Sequence, residues 1–270
     1  MKNHFFIPYY GNKRQEVEKI YDVIKAKLDN IDYIIEPFCG SAALSYYISL
    51  LHPGKYRYVL NDNDERLIEL YKLAQDEEKW DKYIDDVIVL YNTINTKEDY
   101  QRIVKMNTNE AYMIKHKIYA IRPGLFPTGK IYGKDYLDNM KKAPILDFLR
   151  RENVIITCDD AVKIIKVYKE NEKSLLFIDP PYIDSDNTWY KAPSTNVYEY
   201  MYDNDICKMK SYIVLCLQNN WIIKMLFKGK NNITYDKRYE TTHKSTTHII
   251  IDNNVVRSPT APTIRGELIV

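Results

Sequence analysis

Residues 175–182 read Leu-Leu-Phe-Ile-Asp-Pro-Pro-Tyr. A short apolar run of this kind suits a buried strand, and the two prolines must end it: neither supplies an N–H to a ladder, and neither is tolerated inside a helix. The chain therefore leaves the sheet through a rigid turn that Asp179 opens and Tyr182 closes. A carboxylate, two carbonyls without a competing N–H at the prolines, and an aromatic face can together grip an exocyclic amino group on a flat ring.

Further short apolar runs, at residues 32–36, 56–60, 154–157, 214–217 and 247–251, read as strands. The region 207–227 fits a continuous helix equally well. Helical patterns cover residues 13–28, 41–51, with Ser41 as a candidate cap, and 64–73. Strands alternating with helices predict an α/β fold with a mostly parallel, doubly wound sheet, and the last strand is expected to add an antiparallel partner. Residues 72–150 interrupt the alternation. They read as helical at first and then turn basic, with 11 Lys/Arg against 4 Asp/Glu over residues 101–151. A locally basic insertion in a chain whose formal net charge is only +2 points to a partner-binding lobe, although a solvated helical face would look the same.

The four cysteines (Cys39, Cys158, Cys207, Cys216) form no C-x-x-C pair, so neither a zinc site nor a disulfide framework is indicated and a reducing, intracellular setting is expected. No metal is expected. The N-terminus lacks the apolar core of a signal peptide, and no apolar run reaches membrane-spanning length. With 25 Tyr and only 8 Gly, alongside many Lys, Asn and Ile, the composition suggests an AT-rich genome, that of a virus or a low-GC host.

Four other constellations sit where such a fold presents ligands. Glu36-Pro37-Phe38-Cys39-Gly40-Ser41 is a strand end, a tight glycine turn and a helix start; ligands bind at such turns. Positions 42 and 43 are alanines, so a pyrophosphate loop is not indicated. Asn61-Asp62-Asn63-Asp64 follows the second strand, where a carboxylate can accept hydrogen bonds from a ribose diol, or merely cap the next helix. Of Asp159 and Asp160, one suits an adenine amino group and the other a helix cap, and the residues do not decide which. In Pro8-Tyr9-Tyr10-Gly11-Asn12-Lys13, Tyr9 offers a flat face and Lys13 a reach toward a carboxylate.

Taken in order, Tyr9/Gly11/Lys13, Glu36–Ser41, Asp62, the insertion, Asp160 and Asp179-Pro180-Pro181-Tyr182 resemble the Dam-like family of DNA adenine-N6 methyltransferases. The resemblance implies a Rossmann-like methyltransferase core over residues 1–71 and 151–257, with a mainly helical target-recognition lobe at 72–150 and a tail at 258–270. It implies S-adenosyl-L-methionine as cofactor, contacted by Tyr9, Gly11, Lys13, the Glu36, Pro37, Phe38, Gly40 and Ser41 turn, Asp62 at the ribose, Asp160 at the adenine, and Asp179. Asp179, Pro180, Pro181 and Tyr182 are then the catalytic residues, and Arg122, Lys130 and Lys134 face nucleic acid. The expected partner is double-stranded DNA with a flipped adenine, and a cognate restriction endonuclease is a further candidate; no membrane partner is expected. The setting would be cytoplasm or nucleoid, in a host cell if the gene is viral. This sequence departs from the family in having Gly11-Asn12 where paired glycines are usual, tyrosine where tryptophan is usual, and a divergent insertion. Methylation of RNA adenine, and a non-catalytic nucleic-acid-binding homologue, are the alternatives.

Overall fold

A computed structural model describes residues 13–121, 139–183, 195–238 and 245–253. Its frame is a seven-stranded sheet in the order β3-β2-β1-β4-β5-β7-β6. The strands are β1 (Tyr33–Glu36), β2 (Arg57–Asn61), β3 (Val154–Thr157), β4 (Ser174–Ile178), β5 (Tyr212–Gln218), β6 (Asn231–Arg238) and β7 (Ser245–Asp252). The first five pair in parallel, whereas β7 is antiparallel to both its neighbours. This is the Rossmann-like methyltransferase arrangement.

The parallel strands read as unbroken apolar runs because both faces are covered. Alternate residues diverge to opposite sides. Ile34, Leu175 and Phe177 join the core beneath α1 (Val17–Ile24), α2 (Ala43–Leu51) and α3 (Glu65–Ala74). Ile35, Leu176 and Ile178 join a second core beneath α8 (Ala161–Tyr168), α9 (Thr195–Asp203) and α10 (Trp221–Leu226). Between β2 and β3 run α4 (Glu77–Tyr91), α5 (Lys97–Ile103), α6 (Asn109–Ile121) and α7 (Ile145–Leu149). Their apolar residues, Trp80, Ile84, Met113 and Phe148 among them, are continuous with the first core. Asp64 and Arg66 fasten this helical segment. Tyr112 donates to Asp64 at 2.7 Å, and the Arg66 guanidinium donates to Asn107 and Asn109.

Two expectations are corrected, and one alternative falls to the strand expected at 214–217. The first helix runs from Val17 to Ile24 rather than from residue 13 to 28, and Lys13 and Glu16, in the turn before it, form buried ion pairs. Ser41 does not cap α2: the helix begins at Ala43 after Ala42, whose φ of 53° is left-handed, and no side chain caps it from that position. Glu36 does this work from the neighbouring strand, accepting the Ser45 backbone N–H at 2.8 Å. Residues 207–227 are not one helix, since β5 occupies their centre. β6 had no counterpart in the expected strands.

Candidate active site

The chain order reverses between β1 and β4, which lie side by side at the centre of the sheet. Open α/β sheets form their ligand crevice outside the carboxyl ends of the strands at such a reversal. The turn after β1 carries Glu36–Ser41, and the turn after β4 carries Asp179–Tyr182, so both motifs fall at this crevice.

One side chain joins the β1, β2 and β3 ends. Asn61, fully buried, donates to the carbonyls of Pro37 and Asp159 at 2.9 and 3.0 Å. Its own oxygen accepts from the Asp159 N–H and the Thr157 hydroxyl at 2.9 and 2.8 Å. Gly40 turns with a φ of 44°, a conformation glycine adopts without strain. Its N–H donates to Asp62 at 3.0 Å, and the Asp64 N–H donates to the other Asp62 oxygen at 3.1 Å. The Gly40 carbonyl accepts from Tyr71. Pro37, Ser41, Asp62 and Glu36 are buried, whereas Phe38 and Gly40 are half-buried. Burial pushes the Glu36 carboxyl up to about 7, with the bond from Ser45 opposing only in part. Burial likewise pushes Asp62 up to about 6 against the two backbone bonds. Neither makes an ion pair among the described residues.

Asp64 takes the capping role considered for it, accepting from Arg66 and Leu67 at the start of α3. Asp160 caps α8 through the N–H groups of Val162 and Lys163 and is solvent-exposed, beside a groove between α8 and α9 lined also by Asn196, Glu199 and Tyr200. Asp159 instead pairs with Lys163 at 2.9 Å.

The turn after β4 is wired differently. Lys13, buried, forms a 2.5 Å ion pair with Asp179 and lies 5.4 Å from the centre of the Tyr182 ring. Tyr182 donates to Asp179 at 3.3 Å, and Tyr198 donates to the Pro181 carbonyl at 3.4 Å. Pro180 is buried while Asp179, Pro181 and Tyr182 are half-buried. Burial raises the Asp179 carboxyl and the Lys13 charge opposes that rise. For Lys13 itself burial disfavours the ammonium, but Asp179 and Glu16 more than restore it.

Behind this turn lies a buried group that the motifs did not reveal. Glu16 accepts from Tyr235 and Lys237 of β6, and His248 Nδ1 of β7 lies 3.2 Å from it. Burial alone would raise Glu16, yet Lys13, His248 and Lys237 together hold it far below the carboxylate range. Glu16, Cys216 and His248 lie within 4.8 Å of one another, as metal ligands do. Burial raises the Cys216 thiol to about 12, however, and Lys237 and Tyr235 occupy the Glu16 oxygens, so the chemistry is that of an ion-pair network rather than a metal centre.

Tyr9, Gly11, Arg122, Lys130 and Lys134, and the tail from 258, lie outside the described residues. Among those described, no helix is long and apolar enough to cross a membrane. No curated protein matches the chain. Residues 9–126 do match the sequence model of the D12 class N6 adenine-specific DNA methyltransferase family, and the resemblance carried by the ordered motifs is thereby borne out.

Proposed function

We propose that the protein transfers a methyl group from S-adenosyl-L-methionine to the exocyclic N6 amine of an adenine extruded from double-stranded DNA. The carrying observation is the pairing of two unlike turns at one crevice, with buried carboxylates at the β1 and β2 ends and the Asp179–Tyr182 clamp at the β4 end. S-adenosyl-L-methionine supplies a methyl group activated by a sulfonium charge. The residues present fit such a group, because Glu36 and Asp62 are buried carboxylates that gain from a cationic or hydroxyl-bearing ligand.

In this reading Asp62 binds the ribose hydroxyls, Asp160 lies toward the adenine of the cofactor, and Glu36, Pro37, Phe38, Gly40 and Ser41 surround the methionine part with Tyr9, Gly11 and Lys13. Tyr182 stacks on the extruded target ring. Asp179 and the Pro180 carbonyl accept hydrogen bonds from the target amine, which keeps its lone pair on nitrogen and fixes its direction of attack. Pro181 stiffens the turn. Orientation, and acceptors set where positive charge develops, supply the rate enhancement. The proton then leaves through Asp179 to water. Residues 72–150 act as the target-recognition lobe inserted in a core of residues 1–71 and 151–257, with Arg122, Lys130 and Lys134 on phosphates.

The test is methyladenine-sensitive sequencing of DNA from cells expressing the protein, with the purified protein assayed on matched DNA and RNA. Methyladenine within one sequence context of DNA is expected. Methylation of RNA alone would move the reading to RNA, and methylation of neither would end it.

A further inference from the structure

His248 is completely buried, on β7 between Gln218 of β5 and Tyr235 of β6. Its Nδ1 lies 3.2 Å from Glu16 and 3.4 Å from the Tyr182 hydroxyl. The two rings meet edge to face, 5.2 Å apart at 86°. Glu16 is already fenced by Lys13, Lys237 and Tyr235. A carboxylate in that setting is ionised and can only accept, so the imidazole nitrogen that faces it carries the proton. The same N–H can be shared with the Tyr182 oxygen, and Tyr182 turns its own proton to Asp179 at 3.3 Å. Donors thus run in one direction, from His248 to Tyr182 to Asp179.

We propose that His248, its tautomer fixed by Glu16, is the positioning residue that sets the Tyr182 ring for stacking on the extruded base. The inference rests on the methylation reading and adds residues that touch neither cofactor nor target. His248 fixes the edge and the hydroxyl of the ring. The hydroxyl is thereby kept from turning into the space where the target amine must meet Asp179. Glu16 acts one step further back, and Lys237 and Tyr235 hold Glu16 in place.

The experiment compares wild type, His248→Asn, His248→Leu, Tyr182→Phe and the His248→Leu/Tyr182→Phe pair in steady-state methylation of the DNA found by sequencing. Asparagine can present an N–H near the position of Nδ1, whereas leucine fills the space without one. For His248→Leu, kcat should fall about tenfold or more while KM for S-adenosyl-L-methionine moves less than about twofold; His248→Asn should recover most of that loss, and His248→Leu should cost little further in the Tyr182→Phe background. Equal loss in the asparagine and leucine variants, or full additivity with Tyr182→Phe, would overturn the inference. Nitrogen-15 NMR of the histidines in the wild-type protein, with His248 assigned by its loss in His248→Asn, needs no turnover. A protonated Nδ1 is expected, and a bare Nδ1 would also overturn it. Wild-type protein inactive on every nucleic acid would remove the methylation reading and this inference with it, whereas an active wild type matched by His248→Leu removes the inference alone.

Discussion

The two turns that meet at the crevice both present carboxylates that burial pushes up, but they give those carboxylates different partners. At the β1 and β2 ends, Glu36 and Asp62 accept from backbone N–H groups and have no cation paired with them among the described residues. At the β4 end, Asp179 has a lysine 2.5 Å away, and behind it Glu16 has Lys237. The first region is short of positive charge and gains when a ligand brings it. The second is balanced, with two lysines against two carboxylates, and is suited to orienting a group without being remade by it. On the proposed reading, the difference separates a place that would hold the cofactor from a place where the methyl group would be transferred.

Three substitutions probe that division, taken from the largest effect to the smallest. Asp179→Ala should lower single-turnover methyl transfer by about a thousandfold, the scale of losing an electrostatic partner in a transition state, while titration of the cofactor changes little. Full activity in this variant would end the assignment of the reaction to the β4 turn. Asp62→Ala should do the reverse, weakening cofactor affinity about ten- to a hundredfold, as for lost hydrogen bonds to a charged group, with kcat at saturation much less affected. An unchanged dissociation constant would show that the β2 end does not hold the ligand.

The third concerns pH. A carboxyl raised in the folded state binds its proton more tightly there than in the unfolded chain. Its contribution to stability is therefore present below the unfolded value and lost as pH climbs through the folded one. For Glu36 that window runs from about 4.5 to about 7, and the loss is on the order of 3 kcal/mol across it. Urea unfolding of the ligand-free protein at pH 4.5 and pH 7.5 should show Glu36→Gln losing less stability over the interval than wild type. Identical pH dependence in the two proteins would mean that Glu36 is not held in this way.

The motifs at strand ends were legible because each joins an apolar run to residues with a fixed backbone demand. The double proline after Ile178 had to end β4, and Gly40 had to turn after β1. The capping choice between Asp159 and Asp160 was not legible: both directly precede α8, and only the position of Lys163 and the backbone geometry separate them. Ser41 misled because serine is a good cap by type, while the left-handed Ala42 and the buried Glu36 are consequences of the packed turn. β6 was hidden by its composition. Asn231, Asn232, Asp236, Lys237 and Arg238 give it no apolar run, and Lys237 is buried only because Glu16 receives it. Glu16 and His248 left no local trace at all, since what makes them notable is each other and Tyr182.

The bonds that join Glu16 to Tyr235 and Lys237 span 219 and 221 residues of chain. Contacts so distant in sequence are closed late, because the chain entropy between them must be surrendered first. Lys13 and Glu16 are synthesised before β6 and β7, the strands that neutralise Glu16. Until β6 and β7 dock, the N-terminal segment carries charges that cannot be buried, and the floor beneath Asp179 and Tyr182 is missing. The Asp179–Tyr182 turn thus gains its full surroundings only when both ends of the described chain have met, so a growing or broken chain can hold the sheet's central strands before that turn is complete.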